Sequence, residues 1–167
     1  MTVADFNQSG IEKKTELLLQ CCRSFAWVKK MIAVQLPVEL EAILGIAQVE
    51  WNECNGQDWL EAFKHHPKIG DITSLKKQFA STAHFALSEQ SAVNVASDET
   101  LQQLADGNDA YEKKFGFIFI ICATGKSAEE MLSILKARLA NTPEEEIKIA
   151  ANEQSKITRL RLQKLFI

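Results

Sequence analysis

The sequence is short of the features that mark several functional classes. It has no basic excess: 19 Lys and Arg stand against 22 Asp and Glu, giving a formal net charge of -3 and a pI near 5.7. Lys and Arg supply most non-specific affinity for nucleic acid by neutralising phosphates, so a small molecule or a protein is the expected partner. No long apolar run is present either. The longest, near residues 117–123, falls far short of the ~20 residues that a membrane-spanning helix needs. The N-terminus carries acids and polar residues where a signal peptide has a basic and then an apolar region. A cytoplasmic protein with no membrane association is therefore expected. Nor is there a disulfide framework or a C-x-x-C pair: Cys21, Cys22, Cys54 and Cys122 read as reduced, mostly buried thiols. No repeat, low-complexity tract or linker divides the chain, so residues 1–167 are expected to form one domain. A domain of this length buries roughly 70% of its unfolded surface, enough for a core and a concave site.

Common catalytic motifs are missing as well. Gly125-Lys126-Ser127 ends like a phosphate-binding loop, but the glycine required five positions earlier is Ile120. His65, His66, His84 and Cys54 show no metal-ligand spacing, so no metal is expected. There is no G-x-S-x-G elbow for a serine nucleophile. The adjacent Cys21 and Cys22 lie in an apolar helical pattern that suits inert packing.

What is present is a dense polar corner, Phe63-Lys64-His65-His66-Pro67-Lys68-Ile69-Gly70-Asp71. It follows an apolar-periodic run through Trp59, Leu60 and Phe63. Pro67 disfavours helical backbone at His66, so the preceding helix should end there and leave an imidazole that titrates near neutrality aimed by the backbone. Taken alone, a histidine before a proline is more often a plain surface corner.

Around this corner the chain reads as helices. Ile11, Leu17, Leu18 and Cys21 share one face, and a second run passes through Phe25, Trp27, Val28, Met31, Ile32 and Val34. Pro37 suits a first turn, and Leu40, Ile43, Leu44, Ala47 and Trp51 recur at three- and four-residue intervals until Asn55-Gly56. A further helix is predicted from Ile72 to Phe79, and Ser88 can cap one that opens with Glu89. Taken alone, Glu89 reads as a solvated first-turn carboxylate. Ser97 starts a helix through Leu101, Leu104 and Tyr111 that should slacken near Gly107-Asn108. Residues 115–123 look locally like a buried strand, but no second run offers a ladder, which makes this an extended or helical core segment whose backbone groups are available to a ligand. Ser127 with Glu130, and Thr142-Pro143 with Glu145, form capping boxes for helices reaching Leu139 and Leu165. The expectation is an all-α single-domain bundle of roughly eight to nine helices.

The last helix carries two arginines at different azimuths. Each residue turns a helix by about 100°, so Arg159 and Arg161 cannot face the same way. Arg161 continues the inward line of Ile147, Ala150, Gln154 and Ile157, whereas Arg159 lies with Asn152 and Lys156. An inward arginine needs an anionic or carbonyl partner, supplied by a ligand or by the protein itself.

In order along the chain, His66-Pro67-Lys68-Ile69-Gly70-Asp71, Glu89-Gln90, Lys114-Phe115-Gly116-Phe117 running into Ile120-Ile121-Cys122-Ala123, and Leu160-Arg161-Leu162 resemble the motif set of the 2-oxo-4-hydroxy-4-carboxy-5-ureidoimidazoline (OHCU) decarboxylases. The resemblance covers nearly the whole chain. It implies an all-α fold, commonly a homodimer, that removes the substrate carboxylate as carbon dioxide to give (S)-allantoin in urate breakdown, with neither metal nor organic cofactor. Carried over, it places the catalytic residues at His66, Glu89 and Arg161. Substrate contacts fall on Pro67, on Ala86, Leu87, Ser88, Glu89 and Gln90, and on Phe119, Ile120, Ile121, Cys122 and Ala123. Two positions depart from the pattern: Ala86 where many relatives have serine, and Ile118 where they have proline. A non-enzymatic helical interaction module is the alternative from a different class.

Overall fold

The structure, a computed structural model, describes residues 1–66, Thr73 and 97–166. Among the described residues there are eight helices and no strand, the all-α class expected. They divide into two compact units, Met1–His66 with Ile147–Ile167, and Pro67–Glu146.

In the first unit the chain forms α1 (Val3–Gln8), α2 (Ile11–Cys21), α3 (Phe25–Ala33), α4 (Leu40–Asn52) and α5 (Gly56–Phe63). It is completed by the greater part of α8 (Pro143–Leu165). The two helices predicted over residues 11–34 are found. The first helix, α1, has no counterpart in the sequence reading: Thr2 and Asp5 close a capping box around a stretch too short to show periodicity. Asn55-Gly56 ends the α4 pattern as expected, and Asn55 also starts α5, accepting from Gln57 N (2.9 Å) and Asp58 N (3.3 Å).

Pro37 is not in a first turn. The helix begins at Leu40, with Glu39 at the N-cap position but no side-chain cap, because both backbone groups of Leu36 are engaged by the Asn7 side chain at 2.8 and 3.2 Å. That reciprocal pair leaves Leu36 nothing to contribute to a helical turn.

Three tryptophans hold the first unit together, each giving its indole N–H to a backbone carbonyl. Trp27 donates to Ala47 (3.0 Å), Trp51 to Ala151 (2.9 Å) and Trp59 to Trp51 (3.3 Å). These bonds tie α3 to α4, α4 to α8 and α5 to α4. Each indole satisfies its one donor at the contact, with the rings of Trp27 and Trp51 buried and that of Trp59 half-buried.

The second unit contains α6 (Asp98–Phe115) and α7 (Ala128–Arg138), packed side by side, with the first residues of α8. The expected slackening at Gly107-Asn108 does not occur; α6 runs unbroken. Asn108 is satisfied by donating to Leu104 O (2.8 Å), and Gly107 is a packing residue. A Cβ placed on it would lie 2.6 Å from Leu135 Cδ2, so the missing side chain is what lets the two helices approach. Both capping boxes predicted for α7 and α8 form. Ser127 N donates to Glu130 at 2.7 Å, and Thr142 N to Glu145 at 2.9 Å.

Beyond the left-handed Gly116 (φ 78°) the chain is extended through Ala123, and Phe119, Ile120, Ile121 and Cys122 are buried. This resolves the choice between an extended and a helical core segment. Its carbonyls are held by side chains instead of a ladder: Ile120 O accepts from Arg138 Nη1 (2.7 Å) and Cys122 O from Lys126 Nζ (2.9 Å). Arg138 is itself part of a buried cluster, donating through Nε to Glu146 (2.6 Å) and through Nη2 to the Tyr111 hydroxyl (3.2 Å), which in turn donates to Glu146. Asn141 completes the carboxylate's shell at 2.9 Å. Burial and the Glu146 carboxylate push the Tyr111 phenol well above its usual range, so it stays protonated and can donate.

None of the four cysteines is in a disulfide and all are buried, as the sequence suggested. Burial pushes Cys21 and Cys54 up to about 11 and Cys22 up to about 12, which keeps them as unreactive thiols.

Candidate active site

Helix α5 stops at Phe63, and the chain turns through His65 N to Ala62 O (3.3 Å) and His66 N to Phe63 O (3.2 Å). These tight turn bonds bring His66 to the end of α5 facing α8, with its ring half-buried. His66 Nε2 lies 2.5 Å from Gln154 Oε1, and Gln154 Nε2 donates to Thr158 Oγ1 at 3.1 Å. Gln154 and Thr158 are 1% and 6% exposed, so the bond anchors the imidazole to the interior.

Arg161 follows Thr158 by three positions and Gln154 by seven, which puts all three on one stripe of α8. Its Nη1 donates to Cys21 O (3.1 Å), the last residue of α2, where the helix dipole favours a cation. Arg159 is turned to the surface and pairs with Glu41 at 2.7 Å. The two arginines thus differ as the helical geometry requires, and among the described residues the partner of Arg161 is a main-chain carbonyl, not a glutamate.

His66 and Arg161 line one cavity of about 250 Å3, together with Gln20, Arg23, Ala62, His65 and Gln154. No acidic side chain is among these described residues. Arg23 and His65 are exposed at its rim, and both also border a wider concavity of about 400 Å3 with Glu16, Leu19 and Phe25. Desolvation lowers the pKa of His66 below its usual 6.5; the Gln154 hydrogen bond opposes this, and the Arg161 guanidinium and the neighbouring His65 add to it. The result is a neutral imidazole at pH 7 in a cavity whose described charged groups are the guanidiniums of Arg23 and Arg161, an arrangement suited to binding an anion and accepting a proton from it.

Of the other sequence-derived site residues, Phe119, Ile120, Ile121, Cys122 and Ala123 form the extended segment of the second unit. A trans peptide points its C=O and N–H in opposite directions, so the Ile120 carbonyl on Arg138 turns the Ile121 N–H away from that cluster. The Cys122 carbonyl on Lys126 does the same for Ala123. Ile118, the departure from the family's proline, lies in the same extended stretch. Pro67, Ala86, Leu87, Ser88, Glu89 and Gln90 lie outside the described residues, as do His84 and the helix expected from Ile72 to Phe79. Among the described residues no group of three or more His, Cys, Asp or Glu side chains is placed to hold a metal.

Gln154 was not singled out from sequence as a site residue. The signal was there: an amide on an otherwise inward apolar line is a buried polar group that needs a partner. Gln20 and Arg23 carry no such signal, since each is an ordinary exposed polar side chain until the fold sets it beside His66.

An all-helical chain with a histidine and an arginine across one polar cavity and an extended carbonyl-clamped segment has the make-up of a small-molecule enzyme. The chain belongs to the OHCU decarboxylase family, whose model matches residues 7–163. It is 46% identical over 149 residues to the uric acid degradation bifunctional protein TTL of Arabidopsis thaliana, covering 87% of this chain and 45% of that protein. It thus spans less than half the length of that relative. It is 28% identical over 170 residues to the 2-oxo-4-hydroxy-4-carboxy-5-ureidoimidazoline decarboxylase of Halalkalicoccus jeotgali, covering all of this chain and 93% of the relative. Among solved structures, a crystal structure of OHCU decarboxylase in the presence of (S)-allantoin matches with a TM-score of 0.70 and 42% identity, over 95% of this chain and 99% of that one.

Proposed function

We propose that this chain is a cofactor-independent OHCU decarboxylase, a single domain over residues 1–167 that produces (S)-allantoin. The observation that carries the reading is the neutral His66 set in a cavity with Arg161 and no described acid, in a chain of this family. OHCU carries a carboxylate, and that cavity suits an anion.

In the reaction the bond to the carboxylate breaks and carbon dioxide leaves. The electron pair passes into the neighbouring imine, so the substrate serves as its own electron sink. His66 takes the 4-hydroxyl proton and returns a proton to one face of the product carbon, a role worth roughly 10²- to 10⁴-fold in rate, while the imine nitrogen that received the electron pair takes one proton from solvent. Glu89 orients and tunes His66. Arg161 holds a carboxylate or carbonyl oxygen with its planar guanidinium. Backbone N–H groups of Phe119 to Ala123 meet the ring oxygen on which charge collects, each contributing on the order of 3 kcal/mol in comparable sites. Pro67 and the Ala86 to Gln90 segment complete the substrate contacts. The enzyme works in the cytoplasm as a homodimer; no described helix is long and apolar enough to cross a membrane.

The test is the decay of freshly generated OHCU in the presence of purified protein, compared with His66→Asn. The reading requires that the wild-type protein accelerates decay and that the variant, folded and still binding substrate, does so at least about 100-fold less. Near-wild-type turnover by the variant would remove His66 from the mechanism.

A further inference from the structure

We propose that Gln154 is a positioning residue for His66: by accepting the Nε2 proton it fixes the tautomer in which Nδ1 exchanges protons with the substrate. The inference rests on the reading of His66 as the proton carrier.

The argument follows a chain of donors and acceptors on α8. Thr158 Oγ1 faces the amide nitrogen of Gln154, which can only donate. It is therefore an acceptor for the Gln154 amide, whose Nε2 lies 3.1 Å away. With its NH2 end committed, Gln154 turns Oε1 to His66, and a carbonyl oxygen can only accept. The 2.5 Å contact then requires a proton on His66 Nε2, so the neutral ring has its lone pair on Nδ1. Gln154 and Thr158 are almost fully buried, so water does not compete for either end of the amide.

Nothing else described around the ring can do this. The charged and titratable groups described around its cavity are Arg161 from α8, His65 from the end of α5 and Arg23 beyond α2; the buried thiol of Cys22 stays protonated. Arg161 and His65 disfavour imidazolium, and among the described groups Gln154 alone supports a proton on the ring. An uncharged amide suits this task. It holds the Nε2 side of the ring without placing a charge there, and leaves the electrostatic tuning to Glu89, as in the proposed mechanism.

The test uses the intact protein and needs no substrate at first. Nitrogen-15 NMR of the wild-type imidazoles should show His66 protonated at Nε2 and unprotonated at Nδ1 above its titration. In Gln154→Met, of similar length but without an acceptor, the two nitrogens should move towards averaged values. The same variant should lose about tenfold or more in kcat with KM within about twofold, since the proton carrier and not the binding groups is disturbed. The acid limb of its pH-rate profile should move to lower pH. In Gln154→Glu the acceptor returns with a charge, so the single tautomer should be restored and the acid limb should move to higher pH.

A wild-type His66 protonated at Nδ1 would overturn the inference even if OHCU is turned over normally. So would a folded Gln154→Met protein with wild-type kcat and an unmoved acid limb. If Gln154→Met fails to fold, Thr158→Val, which frees the amide to rotate, should show the same NMR averaging in milder form, and an unchanged spectrum there would overturn it. Full activity in His66→Asn is a different failure: it removes the proton carrier and leaves the tautomer measurement to stand or fall separately.

Discussion

Replacing Arg138 with Met should cost the protein about 3–5 kcal/mol. The residue is 6% exposed, and its guanidinium serves Glu146, the Tyr111 hydroxyl and Ile120 O while stacking 4.6 Å from the Phe119 ring centroid. Met keeps much of the apolar volume but none of the donors. Glu146, which is fully buried, would keep only Tyr111 and Asn141 as partners. Removing one member of a buried ion pair leaves an uncompensated charge, and losses of about 3–5 kcal/mol are typical. Against a total stability of about 5–15 kcal/mol that is a third or more in most cases. Urea unfolding at pH 7 followed by circular dichroism measures it. Arg138→Met combined with Glu146→Leu should be less destabilised than Arg138→Met alone, because the stranded charge is gone; the groups that lose partners are then neutral, the Tyr111 hydroxyl, the half-buried Asn141 amide and the Ile120 carbonyl, the last of which is lost in the single variant as well. A loss below about 1 kcal/mol for the single variant, or a double variant worse than the single by the full cost of each, would refute the view that this cluster holds the 119–123 segment.

Three further outcomes are expected. Gly107→Ala would stabilise an exposed helix by about 1 kcal/mol, but here the new methyl meets Leu135, so overpacking of about 1–3 kcal/mol should leave a net loss in urea unfolding; a gain would contradict the close approach of α6 and α7. Arg161→Lys should lower kcat/KM for OHCU at least about tenfold while Arg159→Lys stays within about twofold, because lysine cannot serve Cys21 O and a ligand through one planar fork; equal effects would contradict the distinction drawn between them. The pKa of His66 is lowered in the folded protein, so above 6.5 both states are neutral and its contribution is fully present, and below 6.5 the unfolded state binds more protons. Stability should therefore fall as pH drops from 6.5 through the folded value, and His66→Asn should flatten that part of the curve in pH-dependent urea titrations.

Much of the fold was legible because local chemistry encodes it. Thr142-Pro143 with Glu145, and Ser127 with Glu130, mark helix starts through bonds made within four residues, and the positions of Arg159 and Arg161 follow from helix pitch alone. Pro37 and Gly107 misled because a tertiary partner decides each: Asn7 holds Leu36 out of a helical turn, and Leu135 fills the space a side chain would need. The same limit hid the Arg138–Glu146–Tyr111 cluster. Glu146 is the third of three consecutive glutamates, two of them exposed, and nothing in the run shows which one the fold will bury. At the site, His66 and Arg161 were legible, but Gln154 reads as a partner of His66 only once α5 and α8 are seen to face each other.

The most direct measurement of the central claim is the circular dichroism of allantoin formed from freshly generated OHCU with and without the protein. Spontaneous decay gives both enantiomers, whereas a proton delivered from His66 to one face gives (S)-allantoin in excess, and His66→Asn should return the signal to the spontaneous level. Racemic allantoin in the presence of the wild-type protein, at an unaccelerated rate, would contradict the account.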